Sequence, residues 1–229
     1  MSSNNNHLLA SLSTDDLDLL QTHLEPVTLA VRKSLEKPNQ RINAAYFPES
    51  GFASIVTIQF SKQVEVGLVG REGMTGLPIV LGNYRSPHST YMQAAGEGHC
   101  IRASDLREAM RESVSLRDSL LRYVQAFGVQ TAHTAACNAQ SKLDKRLARW
   151  LLMAHDRITG DILPLTHEFL SIMLGVRRAG VTEALHALKN QNLIVCVRGG
   201  IRVRDRKGLE RYAGEAYGVP EAEYRRLIH

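Results

Sequence analysis

The sequence predicts an α+β protein in three parts: an N-terminal cupin-like β-barrel (jelly roll), a long helix, and a C-terminal helix pair closed by a basic hairpin. Three observations predict it. Short runs rich in Val, Ile, Phe and Tyr, separated by Gly, Pro, Asn and Ser, fill residues 27–104. From Ser104 to about Ala139 there is no proline and one glycine, Gly128. Beyond Leu143, helical spacing ends in two short apolar and basic runs joined by Gly199-Gly200.

The chain of 229 residues, 44% hydrophobic and 22% charged, is long enough to bury a sizeable core. No window approaches 18 uninterrupted apolar residues, so no transmembrane helix and no membrane partner are expected. Met1–Asn6 is polar and uncharged with no apolar run after it, so the expected compartment is the cytoplasm. Cys100, Cys137 and Cys196 form no CxxC pair, which argues against a disulfide framework, a structural zinc site or an iron–sulfur cluster. A single redox-sensing thiol is the alternative to three ordinary ones. Of the net charge of +5, residues 141–229 carry 16 Lys and Arg against 10 Asp and Glu, while residues 1–140 are nearly balanced. That asymmetry fits a polyanionic partner for the C-terminal part.

In order, residues 8–24 read as helix, capped by Ser13 or Thr14 and carrying Leu17, Leu20 and Leu24 at helical spacing. The predicted strands are 27–31, 45–47, 54–60, 65–69, 90–94 and 99–102. In the long helix, about 104–139, Leu116, Leu120, Tyr123 and Phe127 recur at steps of four, three and four, a coiled-coil seam. Leu121, Val124 and Ala132 form a second apolar face. A helix apolar on two sides must bury both, and a second copy of the chain is the economical partner for one of them.

Residues 143–158 are helical again, with Leu143, Leu147, Trp150, Leu151 and Ala154 on one face; Gly160, Asp161 and Pro164 end the segment. Thr166 caps a short helix to about Leu174, and Gly175 stands where a helix-turn-helix needs a positive φ. A second helix starts near Arg177. Val181, Leu185 and Leu188 face inward, and Arg178, Thr182, Glu183 and His186 face out. Strands 195–198 and 201–204 follow, and Arg198, Arg202, Arg204, Arg206 and Lys207 decorate them. Helix, turn, helix and basic hairpin make a winged helix. Arg177 and Arg178 sit at the helix end that reads base edges in the major groove, where Arg bonds guanine or a phosphate. The wing arginines suit phosphate contacts, which fix register without reading sequence. The expected parts are 1–140 (barrel and long helix), 141–213 (winged helix) and 214–229 (helical tail).

On these residues the chain resembles the Crp/Fnr family of regulators. The likeness rests on Leu165–Ile194, Tyr46–Gly51 (YFPESG), Val69–Leu77 (VGREGMTGL) and Arg198–Glu210. It implies a cyclic-nucleotide-binding-like barrel, a dimer helix, and a homodimer binding a palindromic operator with one recognition helix per half-site. RNA polymerase is a further partner if the protein activates. Two departures stand out. The family's recognition helix carries Arg, then Glu, and a second Arg further on; here Arg178 matches the first, Ala179 replaces the Glu, and Glu183 replaces the second Arg. A family nucleotide pocket also needs a Gly-Glu-Leu segment and an Arg-Ser or Arg-Thr clamp. The matching stretch is Gly73, Met74, Thr75, Gly76 and Leu77, without a carboxylate, and either Arg85-Ser86 or His88-Ser89 takes the clamp position. The missing acceptor argues against cyclic AMP, and no cofactor is expected. A haem on His88 is not favoured, since a lone His in a Pro-flanked loop is usually a surface residue.

The expectation is a transcription regulator without catalytic activity. The alternatives are a barrel with an enzymatic activity fused to a DNA-binding module, and a winged helix that binds protein instead of DNA. Glu65, Glu72 and Glu97 are the barrel carboxylates available to the first alternative, and no base–nucleophile pair accompanies them.

Overall fold

The computed structural model describes residues 5–59 and 62–229; Phe60, the end of one predicted strand, and residues 1–4 of the polar terminus lie outside them. Two short helices come first, α1 (His7–Ala10) and α2 (Thr14–Gln21). They divide the single helix expected over 8–24, because Ser13 takes an extended conformation and its hydroxyl caps the Asp16 amide. Seven strands follow: β1 (Glu25–Leu29), β2 (Ser34–Glu36), β3 (Ala44–Pro48), β4 (Phe52–Gln59), β5 (Lys62–Val69), β6 (Ser89–Ala94) and β7 (Gly96–Arg102). A one-turn helix, α3 (Leu77–Val80), interrupts them. All pair antiparallel in two sheets, ordered β1-β7-β3 and β2-β6-β4-β5. The roll is therefore two facing sheets and not a closed barrel, still within the jelly-roll plan.

The long helix is also two. Helix α4 (Ala103–Glu112) ends at Ser113, whose extended backbone and hydroxyl cap start α5 (Val114–Gln140). Asp16 accepts hydrogen bonds from Ser113 and Ser115 at this joint. Burial of Asp16 works against its charge, but these hydroxyl donors outweigh it and hold the carboxyl below its ordinary range.

The seam residues settle against the chain itself. Leu116, Leu120 and Tyr123 are buried in one core with Phe47, Met74 and Ile101, and Phe127 is half-buried. This corrects the expected dimer seam: bulky apolar side chains at heptad spacing fill the face against the roll. The opposite face remains open, with Val114 58% and Leu121 39% exposed.

Helix α6 (Leu143–His155) begins the C-terminal part. It is followed by β8 (Ile162–Leu163), α7 (His167–Leu174), α8 (Arg178–Asn190), β9 (Ile194–Val197), β10 (Gly200–Val203) and α9 (Arg206–Ala213). A tail helix, α10 (Val219–Ile228), returns along α5. The short elements β2, α3 and β8 carry no periodicity that sequence reading could detect. Trp150 of α6 joins the two parts, stacking edge-on against Phe52 of β4 at 6.2 Å and Phe169 of α7 at 5.7 Å. No helix among the described residues is long and apolar enough to cross a membrane.

Candidate nucleic-acid interface

Local chemistry fixes the helix pair. The Thr166 hydroxyl accepts from the Phe169 amide at 3.1 Å and so caps α7. Gly175 closes α7 at φ +64°, and the Gly175 and Val176 amides return to the Ile172 and Ser171 carbonyls. A side chain with a Cβ would be strained at that φ. The chain leaves this turn with Arg177 extended and α8 beginning at Arg178. Val181, Ala184, Leu185 and Leu188 bury one stripe of α8 against α6 and α7. That stripe fixes which side chains face outward.

Arg177, Arg178, Glu183 and His186 are exposed, and Thr182 is half-buried. The Thr182 hydroxyl donates to the Arg178 carbonyl at 3.2 Å and lies 3.2 Å from His167 Nδ1. Among the described residues, no carboxylate lies within ion-pair reach of Arg177, Arg178, Arg198 or Arg202. Arg204 reaches Asn192 Oδ1 at 3.5 Å. The first turn of α8 therefore presents unneutralised guanidinium groups to solvent.

The wing is a three-stranded sheet, β8-β10-β9, with one register difference from expectation. Gly200 pairs with Val197, so Arg198 and Gly199 make the turn and Gly200 belongs to β10. Gly199 supplies the positive φ of +81°. Gly200 is required for another reason: a Cβ there would lie 2.4 Å from the Leu163 carbonyl oxygen. Arg198, Arg202, Arg204 and Lys207 are exposed, as expected. Arg206 is not part of the wing surface. It starts α9, half-buried, pairing with Asp156 at 2.6 Å and Glu210 at 2.9 Å and donating to the Tyr217 hydroxyl at 2.9 Å.

Residues 145–212 match the family model of the Crp-like helix-turn-helix domain. This region is a Crp-like helix-turn-helix domain. Most of the chain shares its fold with proteins of known structure. One is FixK2 from Bradyrhizobium japonicum, with a TM-score of 0.72, 14% identity, and coverage of 85% of this chain and 99% of that one. Another is a Crp/Fnr-family protein from Eubacterium rectale, with a TM-score of 0.69, 18% identity, and coverage of 90% and 97%. A CRP-family transcriptional regulator from Thermus thermophilus gives 0.66, 19%, 84% and 98%. None of the curated proteins compared by sequence matches the chain.

In front of the Crp-like domain, the roll has a cavity of about 160 Å³ between strands β2, β4 and β5, α3 with the loop that follows it, and α5. The residues expected at an effector pocket divide. Leu77, Ser86 and His88 line the cavity. Arg85 is exposed and does not line it, and Ser89 is only half-buried outside it. Gly73 packs against Tyr123, and Met74 is fully buried in the core. The Thr75 hydroxyl accepts from the Tyr46 amide at 3.2 Å. A carboxylate does reach this segment, from a residue that sequence reading did not single out. Glu36 of β2 accepts from the Gly76 amide at 2.8 Å, and burial pushes its carboxyl above the ordinary range. Its position in a three-residue strand left no periodic signal to find it.

Proposed function

We propose that the chain is a homodimeric, sequence-specific DNA-binding transcription regulator whose roll biases the placement of its Crp-like domains. One observation carries this reading: exposed Arg177 and Arg178, without carboxylate partners, open the second helix beside a hairpin bearing Arg198 and Arg202. Arginine there suits guanine edges, and the hairpin suits phosphates. Thr166, Thr182, Glu183, His186 and Arg204 surround that surface and complete the proposed contact set. RNA polymerase is a further partner if the protein activates.

The test is fluorescence anisotropy with an operator selected from random duplexes. Arg178→Ala is expected to lose about 1–3 kcal/mol on that operator and to relax preference at one base pair. Arg202→Ala is expected to weaken all sequences alike and to lower the salt slope by about 1. Unchanged operator affinity in Arg178→Ala would remove the recognition-helix assignment.

For the dimer, the open face of α5 is the proposed seam. Val114, Leu121, Gly128 and Ala135 recur every seven residues on it, all exposed. Gly128 is informative, since a Cβ there would meet nothing within 4 Å. Mid-helix Gly costs roughly 0.5–1 kcal/mol relative to Ala, and close approach of a partner helix accounts for tolerating it. Leu121→Glu is expected to give a monomer in sedimentation velocity with the monomer fold intact by circular dichroism. A dimer that persists at micromolar concentration would place the seam elsewhere.

The roll cavity is the proposed effector pocket, for a molecule smaller than a cyclic nucleotide. Its volume of about 160 Å³ lies below the roughly 300 Å³ at which small-molecule sites begin.

A further inference from the structure

A second cavity, of about 290 Å³, lies outside the roll, beneath the tail helix α10. Its walls come from six places: α1 (His7), the loop after β5 (Arg71, Glu72), the middle of α5, the turn after α6 (Asp156, Arg157), the start of α9 (Arg206), and the tail. Four aromatic rings face into it: Tyr123 and Phe127 from α5, and Tyr217 and Tyr224 from the tail. Tyr224 is held in place by its hydroxyl, which donates to the Glu72 carbonyl at 2.6 Å.

The charges around this cleft do not cancel. Arg157 pairs with Glu72 at 2.7 Å, and Arg206 with Asp156 at 2.6 Å. Two further lining guanidinium groups have no carboxylate partner among the described residues. Arg71 donates only to a carbonyl, that of Asp156, at 2.9 and 3.2 Å, and Arg225 is exposed with no side-chain partner. The one remaining lining carboxylate, Glu221, accepts from the Gly218 amide at 2.9 Å. Among the lining residues alone, four guanidinium groups face three carboxylates, one positive charge in excess; Glu210, which also pairs with Arg206 at 2.9 Å, lies off the lining. His7, also on the lining, is held below the ordinary imidazole range by burial and by Arg71, so it adds no cation at neutral pH.

We propose that this cleft binds a small aromatic monocarboxylate, its ring among Tyr123, Phe127, Tyr217 and Tyr224 and its acid group on Arg71 and Arg225. Ring faces and edges supply apolar area, and guanidinium forks match carboxylate geometry. Because roll, long helix, Crp-like domain and tail all contribute walls, an occupant favours the arrangement in which they meet. It does so only by its differential affinity for that arrangement. This last consequence rests on the regulator reading; the binding itself does not.

The experiment is isothermal titration of the full chain, without DNA, with phenylacetate and with the neutral 2-phenylethanol. Phenylacetate is expected to bind at least tenfold tighter than the alcohol. The Arg71→Gln/Arg225→Gln double variant is expected to lose at least tenfold for the acid and nothing for the alcohol. Arg71→Lys/Arg225→Lys is expected to retain most of the acid affinity. Equal affinities for acid and alcohol, no binding of either, or an unaffected Gln double variant would overturn the site. So would loss of acid binding on His88→Ala, which would place it in the roll cavity. Should the Gln double variant fail to fold by circular dichroism, the acid-to-alcohol ratio of the parent decides.

Discussion

Glu65→Gln is expected to stabilise the protein by about 3 kcal/mol at pH 8 and to leave it unchanged near pH 4. Glu65 lies on β5 facing α6, 6% exposed. Its carboxyl accepts from the Ser54 hydroxyl at 2.6 Å and from the Trp150 indole N–H at 2.5 Å. Burial pushes it from 4.5 up to about 7, against the two donors and the more distant charges of Arg149 and Arg157. The direction in pH follows from proton linkage. Below about 4.5 both folded and unfolded chains hold the proton, and burial of the carboxyl costs nothing extra. Between about 4.5 and 7 the unfolded chain releases the proton while the folded chain keeps it, so stability falls as pH rises. Above 7 the full cost is present and constant.

Glutamine keeps an acceptor for the Trp150 indole and offers the Ser54 oxygen a donor, without a charge to desolvate. Urea denaturation of both proteins from pH 4 to 8 measures the effect, with other titrating groups cancelling in the difference. A difference that stays flat across that range would mean that Glu65 is ionised at ordinary pH in the folded state. The contact concerned is the one between the roll and the Crp-like domain, since Ser54 and Glu65 belong to the first and Trp150 to the second.

Features whose causes are local were legible in the sequence. The Thr166 cap, the Gly175 turn and the apolar stripe of α8 all follow from residues within a few positions of one another. Features decided by distant partners were not. Gly199 and Gly200 are equally good turn residues by themselves, and what places Gly200 in β10 is the Leu163 carbonyl across a two-residue strand. The α5 seam reads the same whichever partner it meets, because heptad spacing identifies a buried face and not what buries it. Arg206 looks like another wing arginine until Asp156, 50 residues earlier, takes it. Glu65 alternates with apolar neighbours as any solvent-facing strand residue does, yet α6 covers that face.

Glu72→Ala is expected to destabilise the protein by about 3–5 kcal/mol, because it strands a buried cation. The Arg157 side chain is 7% exposed; its Nε and a terminal nitrogen reach Glu72 Oε1 at 2.8 and 2.7 Å, and its other terminal nitrogen donates to the Met153 carbonyl at 2.6 Å. Burial opposes the Arg157 charge, but the carboxylates of Glu72 and Asp156 more than offset it and hold its pKa above the ordinary value. Removing Glu72 leaves that charge desolvated with one carbonyl as its direct partner. Two further variants separate charge from shape. Glu72→Gln retains one acceptor and should cost clearly less than Ala. The Glu72→Leu/Arg157→Met pair removes both charges and should lie near the parent, since apolar groups of similar volume often replace a buried ion pair at little cost. Denaturation at pH 7 ranks the series. If Glu72→Ala and the apolar pair proved equally destabilised, lost packing between the β5 loop and α6 would be the cause, and the stranded-charge account would be wrong.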